Sequence, residues 1–342
     1  MFQTDRIWSS IRQQVFDLVD QAHAHGQAQN SQLTQNLETA LAARFDRAYC
    51  ITTACATDAL DIAIQSLQLD PGSEIAIPNY TFSATAHAVA RSGNKPVPVD
   101  VLNNYCINPD AIPNCKAVVA VDLFGNMCDY SSLYSKNVPI IVDAAQSLES
   151  IDHNGIPSPK HGILSCISFS PSKTISSWGS GGAILTDDKN LAQICSMLRL
   201  HGKRVNKNMA IAPGLNSMMS SFECAAVLVG LEYSQQWQAR RQQIASFLIS
   251  ESAYTTSVNN LFQHTLSKLV FQSSDRAKAI HRLAQFNVET SVHYDLLINQ
   301  EQIYRDNQEH LNSIKLKSIS FTVPNQHTLT DNEVEIIAKG LK

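Results

Sequence analysis

The chain has 342 residues, 44% of them hydrophobic, and its 26 basic and 30 acidic residues give a net charge of −4. This length suits one large α/β domain with a smaller one. Without a long Lys/Arg block, nucleic acid or an anionic membrane is not expected as the main partner. The eight cysteines lack zinc-site spacing, and no signal peptide or membrane-spanning apolar run is evident, which predicts a cytoplasmic protein with reduced thiols.

Two amphipathic helices are predicted first, at residues 6–25 and 33–45, with a polar stretch between them at 26–32. Short apolar strands then alternate with helices. The predicted strands are 49–52, 74–78, 95–100, 116–122, 139–143, 163–169 and 183–186, and the main helices are 57–67, 81–92 and 190–201. This alternation is typical of a three-layer α/β fold, with a mostly parallel sheet covered on both faces.

The C-terminal third is predicted to form a second unit. After a loop rich in Lys, Arg and Asn at 202–213, residues 220–250 predict one long helix or two broken ones. This segment would connect a large domain, residues 1–235, to a smaller α/β domain, residues 236–342. The smaller domain ends with a helix that is capped at Thr330 and Glu333.

Asp143 and Lys173 carry the first functional prediction. Asp143 ends an apolar strand, and Lys173 lies between a later strand and the turn Ser180-Gly181-Gly182. A lysine that forms a Schiff base, and an acid that keeps a pyridinium nitrogen protonated, are what pyridoxal phosphate (PLP) chemistry requires. The alternatives are that Asp143 caps a following helix and that Lys173 is a solvated surface lysine.

Other residues could contribute to the same site. Thr57 opens a helix after a strand, where the helix N-terminus can bind a phosphate, although Thr57 or Asp58 could equally be a plain N-cap. Phe82 follows a strand end and could stack on a planar ring, or be buried at a helix start. Gln146 could hydrogen-bond the ring hydroxyl from its place three residues after Asp143.

A rival motif overlaps Lys173. Ser170-Pro171-Ser172-Lys173 matches the S-x-x-K motif of penicillin-recognising serine enzymes, which opens a long helix and is accompanied by S-D-N and K-T-G elements. Residues 174–182 are instead rich in Ser and Gly, and neither companion element occurs. The PLP interpretation is therefore favoured.

Taken in order, these segments resemble the DegT/DnrJ/EryC1/StrS sugar aminotransferases, a family of fold-type-I PLP enzymes. The resemblance covers the chain from about residue 34 to the C-terminus. The matching segments are 56–60 (G-T-D-A-L in the family), 70–78, 80–85 (T-F-x-A-T), 143–146 (D-A-A-Q), 168–173 (S-F-x-P-x-K), 200–202, 214–216 and 293–294. The resemblance implies a large domain of the aspartate-aminotransferase type.

The resemblance also implies roles at the cofactor. Lys173 would hold PLP covalently and then move the proton, and Asp143 would hold the pyridinium N–H. Gln146 would contact the ring oxygen, and Phe82 would stack on the ring.

Further residues would hold the phosphate and the substrate. Thr57, the backbone of Asp58 and Ser168 would bind the phosphate. Asn216 would reach the cofactor of a partner subunit, which implies a homodimer with shared active sites. His293 would lie near the substrate.

Some substrate-facing positions depart from the family's pattern. Ser180 stands where an acid is common, Met218 replaces a common arginine, and residues 295–299 (ending in Asn299) lack the usual prolines and second histidine. The cofactor positions are kept, apart from Ala56, which replaces the usual glycine. Because these positions differ, a substrate without a nucleotide stays an alternative.

The function implied by the resemblance is transfer of an amino group, from glutamate by family analogy, to a keto-sugar. That sugar would be nucleotide-linked and destined for amino-sugar and surface-polysaccharide biosynthesis. The alternatives are a PLP-dependent sugar dehydratase, against which Lys173 argues because such relatives carry histidine there, and a PLP-binding regulatory protein.

Overall fold

The computed structural model describes residues 4–24, 26, 28–29, 31–203, 209–258, 260–306 and 308–342. The strands are β1 Tyr49–Thr53, β2 Glu74–Pro78, β3 Lys95–Val99, β4 Ala117–Val121, β5 Ile140–Asp143, β6 Leu164–Ser168, β7 Gly182–Thr186, β8 Thr255–Thr256, β9 Leu269–Gln272 and β10 Ser320–Val323. The α-helices are α1 Thr4–His23, α2 Gln32–Arg44, α3 Ala56–Ser66, α4 Ala84–Arg91, α5 Tyr130–Tyr134, α6 Lys189–Arg199, α7 Ser221–Glu251, α8 Arg276–Gln285, α9 Leu311–Ile319 and α10 Asp331–Leu341.

Seven strands form one sheet in the order β1-β7-β6-β5-β4-β2-β3. Only β7 runs antiparallel to its neighbours, and the other pairs are parallel. Successive side chains of a strand point to opposite faces, so Val118 packs in the cluster with α1, α2 and α7, and Val119 in the cluster with α3, α4 and α6. The predicted three-layer, mostly parallel α/β fold is confirmed.

A second sheet, in the antiparallel order β10-β9-β8, lies in the C-terminal part of the chain. Its core packs against α8, α10 and the end of α7, around Leu248, Phe271 and Phe321. Helix α7 is continuous over 31 residues and contributes to both cores. The expected domain boundary after residue 235 falls inside this helix. As predicted, Thr330 and Glu333 form a capping box at α10.

The helix expected at 81–92 begins later, at Ala84. The two residues before the expected start, Asn79 and Tyr80, are both 0% exposed and bind the C-terminal segment. The Asn79 carbonyl accepts a hydrogen bond from Ile298 N at 3.0 Å, and the Tyr80 hydroxyl donates to the His293 carbonyl. These long-range contacts fix the connection between β2 and α4 against the C-terminal segment.

Parts of the predicted segments fall on residues outside the described ones. These are residue 25 of the first helix, residues 27 and 30 of the polar stretch, and residues 204–208 of the basic loop. No described helix combines the length and apolar character needed to cross a bilayer.

A buried carboxylate, Asp122, organises the loop after β4. It is 0% exposed and accepts hydrogen bonds from Cys128 N at 2.8 Å, the Tyr130 hydroxyl at 2.7 Å and the Ser158 hydroxyl at 2.6 Å. Burial raises the pKa of the Asp122 carboxyl to about 6, and the hydrogen bonds oppose this shift. The loop so fixed carries Phe124, whose N–H bonds the Gln146 side chain.

All eight cysteines are free thiols, and seven of them are buried. Although they are scattered in the sequence, the Cys106 and Cys128 sulfurs lie within 4.8 Å of each other and of an Asp122 oxygen. Because the Asp122 carboxylate already accepts three hydrogen bonds, it acts here as an anchor for the loop.

We expect Asp122 to make the folding stability pH-dependent. A folded-state pKa near 6, above the ordinary value of 3.8, means that the folded protein binds the extra proton. The free energy of unfolding should therefore fall as pH rises through this window, by up to about 1.4 kcal/mol per pH unit. The free energy of unfolding of Asp122→Asn, measured with urea between pH 4 and 6, should lack this decrease with rising pH.

Asp129→Asn is the matched control. Hydrogen bonds from Ser131 and Ser132 lower the pKa of the Asp129 carboxyl, so that group's stabilisation is lost as pH falls rather than as it rises. Equal slopes for the wild type and Asp122→Asn would contradict the assignment.

Candidate active site

A cavity of about 470 Å³ opens at one edge of the large sheet. The carboxyl ends of the parallel strands and the amino end of the antiparallel β7 meet at this edge, the usual ligand position in α/β sheets. The predicted residues that line the cavity are Thr57, Phe82, Asp143, Gln146, Ser168, Lys173 and His293. The predicted residues Asp58 and Asn216 do not line it.

Asp143 lies at the buried end of β5 and is 7% exposed. Its carboxylate accepts hydrogen bonds from Ala145 N at 3.1 Å and from the Thr85 hydroxyl at 3.2 Å. Burial raises the pKa of the Asp143 carboxyl, and the Ala145 N–H, the positive charge of Lys173 and the Thr85 hydroxyl oppose this. No helix follows β5 directly, so the alternative of a helix N-cap is wrong for Asp143.

Lys173 lies in the connection from β6 to β7, and its side chain enters the cavity. Burial lowers the pKa of the Lys173 ammonium, and the negative charge of Asp143 opposes this. A lowered pKa increases the fraction of neutral amine, the form that attacks a carbonyl. The alternative of a solvated surface lysine is therefore wrong.

The backbone at Lys173 also argues against the serine-enzyme motif. The Lys173 N–H bonds the Ser170 carbonyl at 3.0 Å in a turn, and no helix is present between β6 and β7. The Ser170 hydroxyl lies 3.3 Å from the Ser172 hydroxyl. The long helix that the S-x-x-K motif opens is absent from this fully described connection.

The opposite end of the cavity is formed by the N-terminus of α3. The N-cap is Cys55, not Thr57 or Asp58, and its sulfur accepts from Asp58 N at 3.4 Å. Thr57 and Ser168 line the cavity beside this helix end, where free N–H groups and the helix dipole favour an anion.

Asp58 stabilises the turn that precedes α3. Its carboxylate accepts from the Ser217 hydroxyl at 2.7 Å, and the same hydroxyl accepts from Ala54 N at 3.0 Å. The segment around Ser217 is thereby tied to the helix start. Asn216, the residue before Ser217 in the chain, is exposed.

Phe82 and Gln146 occupy the side of the cavity near the C-terminal unit. Phe82 is 55% exposed, so the alternative of a buried helix-start residue is wrong, and its ring centroid lies 5.6 Å from that of Tyr294. The Gln146 amide donates to the Tyr294 hydroxyl at 3.0 Å and accepts from Phe124 N at 3.0 Å. Gln146 is thus held in one orientation.

Several residues that were not predicted as site residues also line the cavity, and Ser267, Lys268 and Tyr294 are among them. Lys268 lies just before β9, in a domain whose strands the sequence pattern did not resolve. Burial lowers the pKa of the Lys268 ammonium to about 7, and Lys173 and Arg241 add to the shift. Burial likewise lowers the pKa of His293 to about 4, with help from Lys268 and Lys173, so the imidazole is neutral at pH 7.

Comparison with known proteins identifies the class of this site. The model of the DegT/DnrJ/EryC1/StrS aminotransferase family matches residues 9–342. The chain belongs to this family. It is a PLP-dependent aminotransferase.

Two curated relatives and one solved structure illustrate the similarity. The UDP-2-acetamido-2-deoxy-3-oxo-D-glucuronate aminotransferase of Pseudomonas aeruginosa is 32% identical over 84% of this chain and 83% of its own length. The 3-oxo-glucose-6-phosphate:glutamate aminotransferase of Bacillus subtilis is 29% identical over 78% of this chain and 64% of its own. The crystal structure of NtdA from Bacillus subtilis, with bound PMP, has a TM-score of 0.92 at 25% identity, covering 100% of this chain and 84% of the other.

The residues of the cavity fit PLP. The N-terminus of α3 with Thr57 and Ser168 suits the phosphate, and the hydrogen-bonded Asp143 carboxylate suits a protonated ring nitrogen. Lys173 provides an amine of lowered pKa in the same cavity, and Phe82 provides an exposed aromatic face.

Gly182 allows this anion site to form. A Cβ at residue 182 would lie 2.7 Å from Ala56 N and 2.7 Å from Cys55 C, both backbone atoms at the start of α3. We expect Gly182→Ala to displace the helix start at a cost of about 1–3 kcal/mol and to weaken PLP binding about tenfold or more. Titration of the cofactor-free protein with PLP, followed by absorbance, measures this.

Gly179→Ala, three residues before Gly182 in the chain, is the control. Its added Cβ would approach only the end of a flexible side chain, Glu223 Oε1, at 3.0 Å. If both variants bound PLP with the affinity of the wild type, the close approach of β7 to α3 would not determine that affinity.

Proposed function

We propose that the enzyme transfers the amino group of L-glutamate to the carbonyl carbon of a nucleotide-linked keto-sugar. The observation that carries the proposal is the shared cavity of Lys173, Asp143 and the N-terminus of α3. It supplies a proton-transfer amine, an acid for the ring nitrogen and an anion site together.

Each residue has a separate task in this proposal. When bound, PLP supplies an electron sink that lets the amino group move from one carbon to another. Lys173 removes the proton from the carbon of the donor in the first half-reaction and, in the second, delivers a proton to the carbonyl carbon of the acceptor. The Asp143 carboxylate, which accepts hydrogen bonds from Thr85 and Ala145, would pair with the protonated ring nitrogen. Phe82 and Tyr294 cover the cavity and reduce its contact with water.

The relatives support a sugar acceptor. One acts, by its name, on a UDP-linked 3-oxo sugar acid, and another on 3-oxo-glucose-6-phosphate with glutamate as donor. Both names place the carbonyl at C3, so a 3-oxo sugar is the first acceptor to test. The higher identity to the UDP-sugar enzyme, 32% against 29%, favours the nucleotide-linked form.

An absorbance experiment tests the proposal. The protein with PLP should show the band of lysine-bound cofactor, and L-glutamate should shift it to the pyridoxamine phosphate spectrum, because Lys173 can move the proton. Lys173→Ala should show neither the band nor the shift. Addition of a UDP-linked 3-oxo sugar to the aminated wild-type enzyme should restore the first spectrum.

Lys116→Ala, which removes an exposed lysine, is the control and should behave as the wild type. A band that forms but responds to no amino donor would favour the dehydratase or the regulatory alternative. If only 3-oxo-glucose-6-phosphate restored the first spectrum, and the UDP-linked sugar did not, the acceptor would be a sugar phosphate.

We further propose that the working unit is a homodimer with shared active sites. Asn216 is exposed on a segment that Ser217 ties to the start of α3, so it lies on the outer surface close to the proposed phosphate site. A side chain in this position can serve a neighbouring subunit without reaching its own cavity.

Mixing two defective variants tests the shared site. If Asn216 serves the partner's cofactor, Asn216→Ala should be weakly active, and its mixed dimer with Lys173→Ala should contain one complete site. Random exchange of subunits should then restore about a quarter of the wild-type rate. No gain over the sum of the separate activities would show that Asn216 acts within its own subunit or not at all.

A further inference from the structure

The backbone of Phe124 makes an unusual contact with a residue of the active-site cavity. Phe124 has φ 64° and ψ −5°, in the left-handed region that residues other than glycine rarely adopt. Its N–H donates to the side-chain carbonyl of Gln146 at 3.0 Å, and Gln146 lines the cavity. Because φ is the rotation about the N–Cα bond, it sets the direction of this N–H relative to the Phe124 side chain. The left-handed backbone thus lets the ring pack in the core while the N–H reaches Gln146.

Contacts around Phe124 hold this conformation. The ring is 1% exposed, and its centroid lies 5.0 Å from that of Tyr105 in an edge-to-face arrangement. Before Phe124, the Asp122 carboxylate is anchored by its three hydrogen bonds. After it, the Gly125 carbonyl accepts from the Ser150 hydroxyl at 2.6 Å. A sparsely populated backbone conformation persists only where such contacts determine it, and these conformations cluster at functional sites.

The Phe124 N–H decides which end of the Gln146 amide faces the cavity. With its carbonyl bound to Phe124, the amide nitrogen donates to the Tyr294 hydroxyl at 3.0 Å and has a second N–H to offer to a ligand. The Tyr294 hydroxyl can donate or accept, so it tolerates either orientation of the amide. A flipped amide would place its nitrogen against the Phe124 N–H, donor against donor. Of these two contacts, only the one to Phe124 therefore discriminates between the orientations.

We propose that Phe124 is a positioning residue, whose left-handed backbone makes Gln146 present an N–H rather than its carbonyl to the ring oxygen of PLP. The inference rests on PLP binding with its ring nitrogen at Asp143, in the cavity that Gln146 also lines, and on neither substrate of the proposed function. A hydrogen bond to the ring oxygen draws negative charge from it and weakens its hold on the proton that it shares with the bound lysine nitrogen. The contact therefore lowers the pH at which the lysine-bound cofactor loses this proton.

An isomeric pair of variants separates the backbone of Phe124 from its ring. Leucine and isoleucine contain the same atoms and both lack the aromatic contacts, but the β-branched isoleucine disfavours the left-handed backbone more strongly. We expect Gln146→Ala to raise the pH midpoint of the cofactor absorbance change by about 1 pH unit, the scale of one hydrogen bond to a charged group. Phe124→Ile should raise the midpoint by a similar amount, and Phe124→Leu should stay near the wild type.

The double variant is the decisive measurement. If Phe124 acts through Gln146, Phe124→Ile should add no further shift of the midpoint in a Gln146→Ala background. A further shift would show that Phe124→Ile acts by another route and would overturn the inference. Equal shifts for Phe124→Ile and Phe124→Leu would also overturn it, as would a midpoint of Gln146→Ala equal to that of the wild type.

Ser150→Ala decides if thermal unfolding shows that Phe124→Ile does not fold. It removes the hydroxyl that bonds the Gly125 carbonyl, and we expect a smaller rise of the midpoint that is again absent in a Gln146→Ala background. With Ser150→Ala, no rise at all would overturn the inference.

These titrations need neither an amino donor nor an acceptor, so they are independent of the proposed function. A protein that follows the expected pattern but accepts no amino group from glutamate would overturn the proposed function and leave the role of Phe124 standing.

Discussion

Burial and mutual attraction act against each other on Asp143 and Lys173, and the active site depends on the balance between them. Burial pushes both groups toward their neutral forms, whereas each charge favours the charge of the other. The sheet order sets this pair, because β5, which ends in Asp143, lies directly beside β6, which leads to Lys173. Two hydrogen bonds to Asp143 then support its carboxylate where water is scarce.

The C-terminal unit completes the cavity rather than merely flanking it. Asn79 and Tyr80 fasten residues 293–299 to the end of β2, which brings His293 and Tyr294 over the sheet edge. Gln146 links the two units through the Tyr294 hydroxyl. A site built between two cores in this way can change its substrate wall while its cofactor wall stays fixed.

The cofactor and substrate walls come from different parts of the chain, which explains why the cofactor positions match the family whereas substrate-facing positions depart from it. The residues that fit PLP come from the large sheet, whereas Ser267, Lys268, His293 and Tyr294 come from the C-terminal unit. Substrate recognition is therefore free to vary in the second unit, and Lys268 is the charged residue that it contributes to the cavity wall among the described residues.

The sequence by itself determined the alternation of strands and helices, the acid at a strand end and the lysine after a later strand, because these depend on local patterns and ordered motifs. It also placed the capping box at Thr330, a local contact. Only the tertiary structure decided that Asn79 and Tyr80, just after β2, hold the C-terminal segment, since their partners lie more than 200 positions away. It alone brought Lys268 to the cavity, because that position depends on docking between two separately packed cores, which no local pattern encodes.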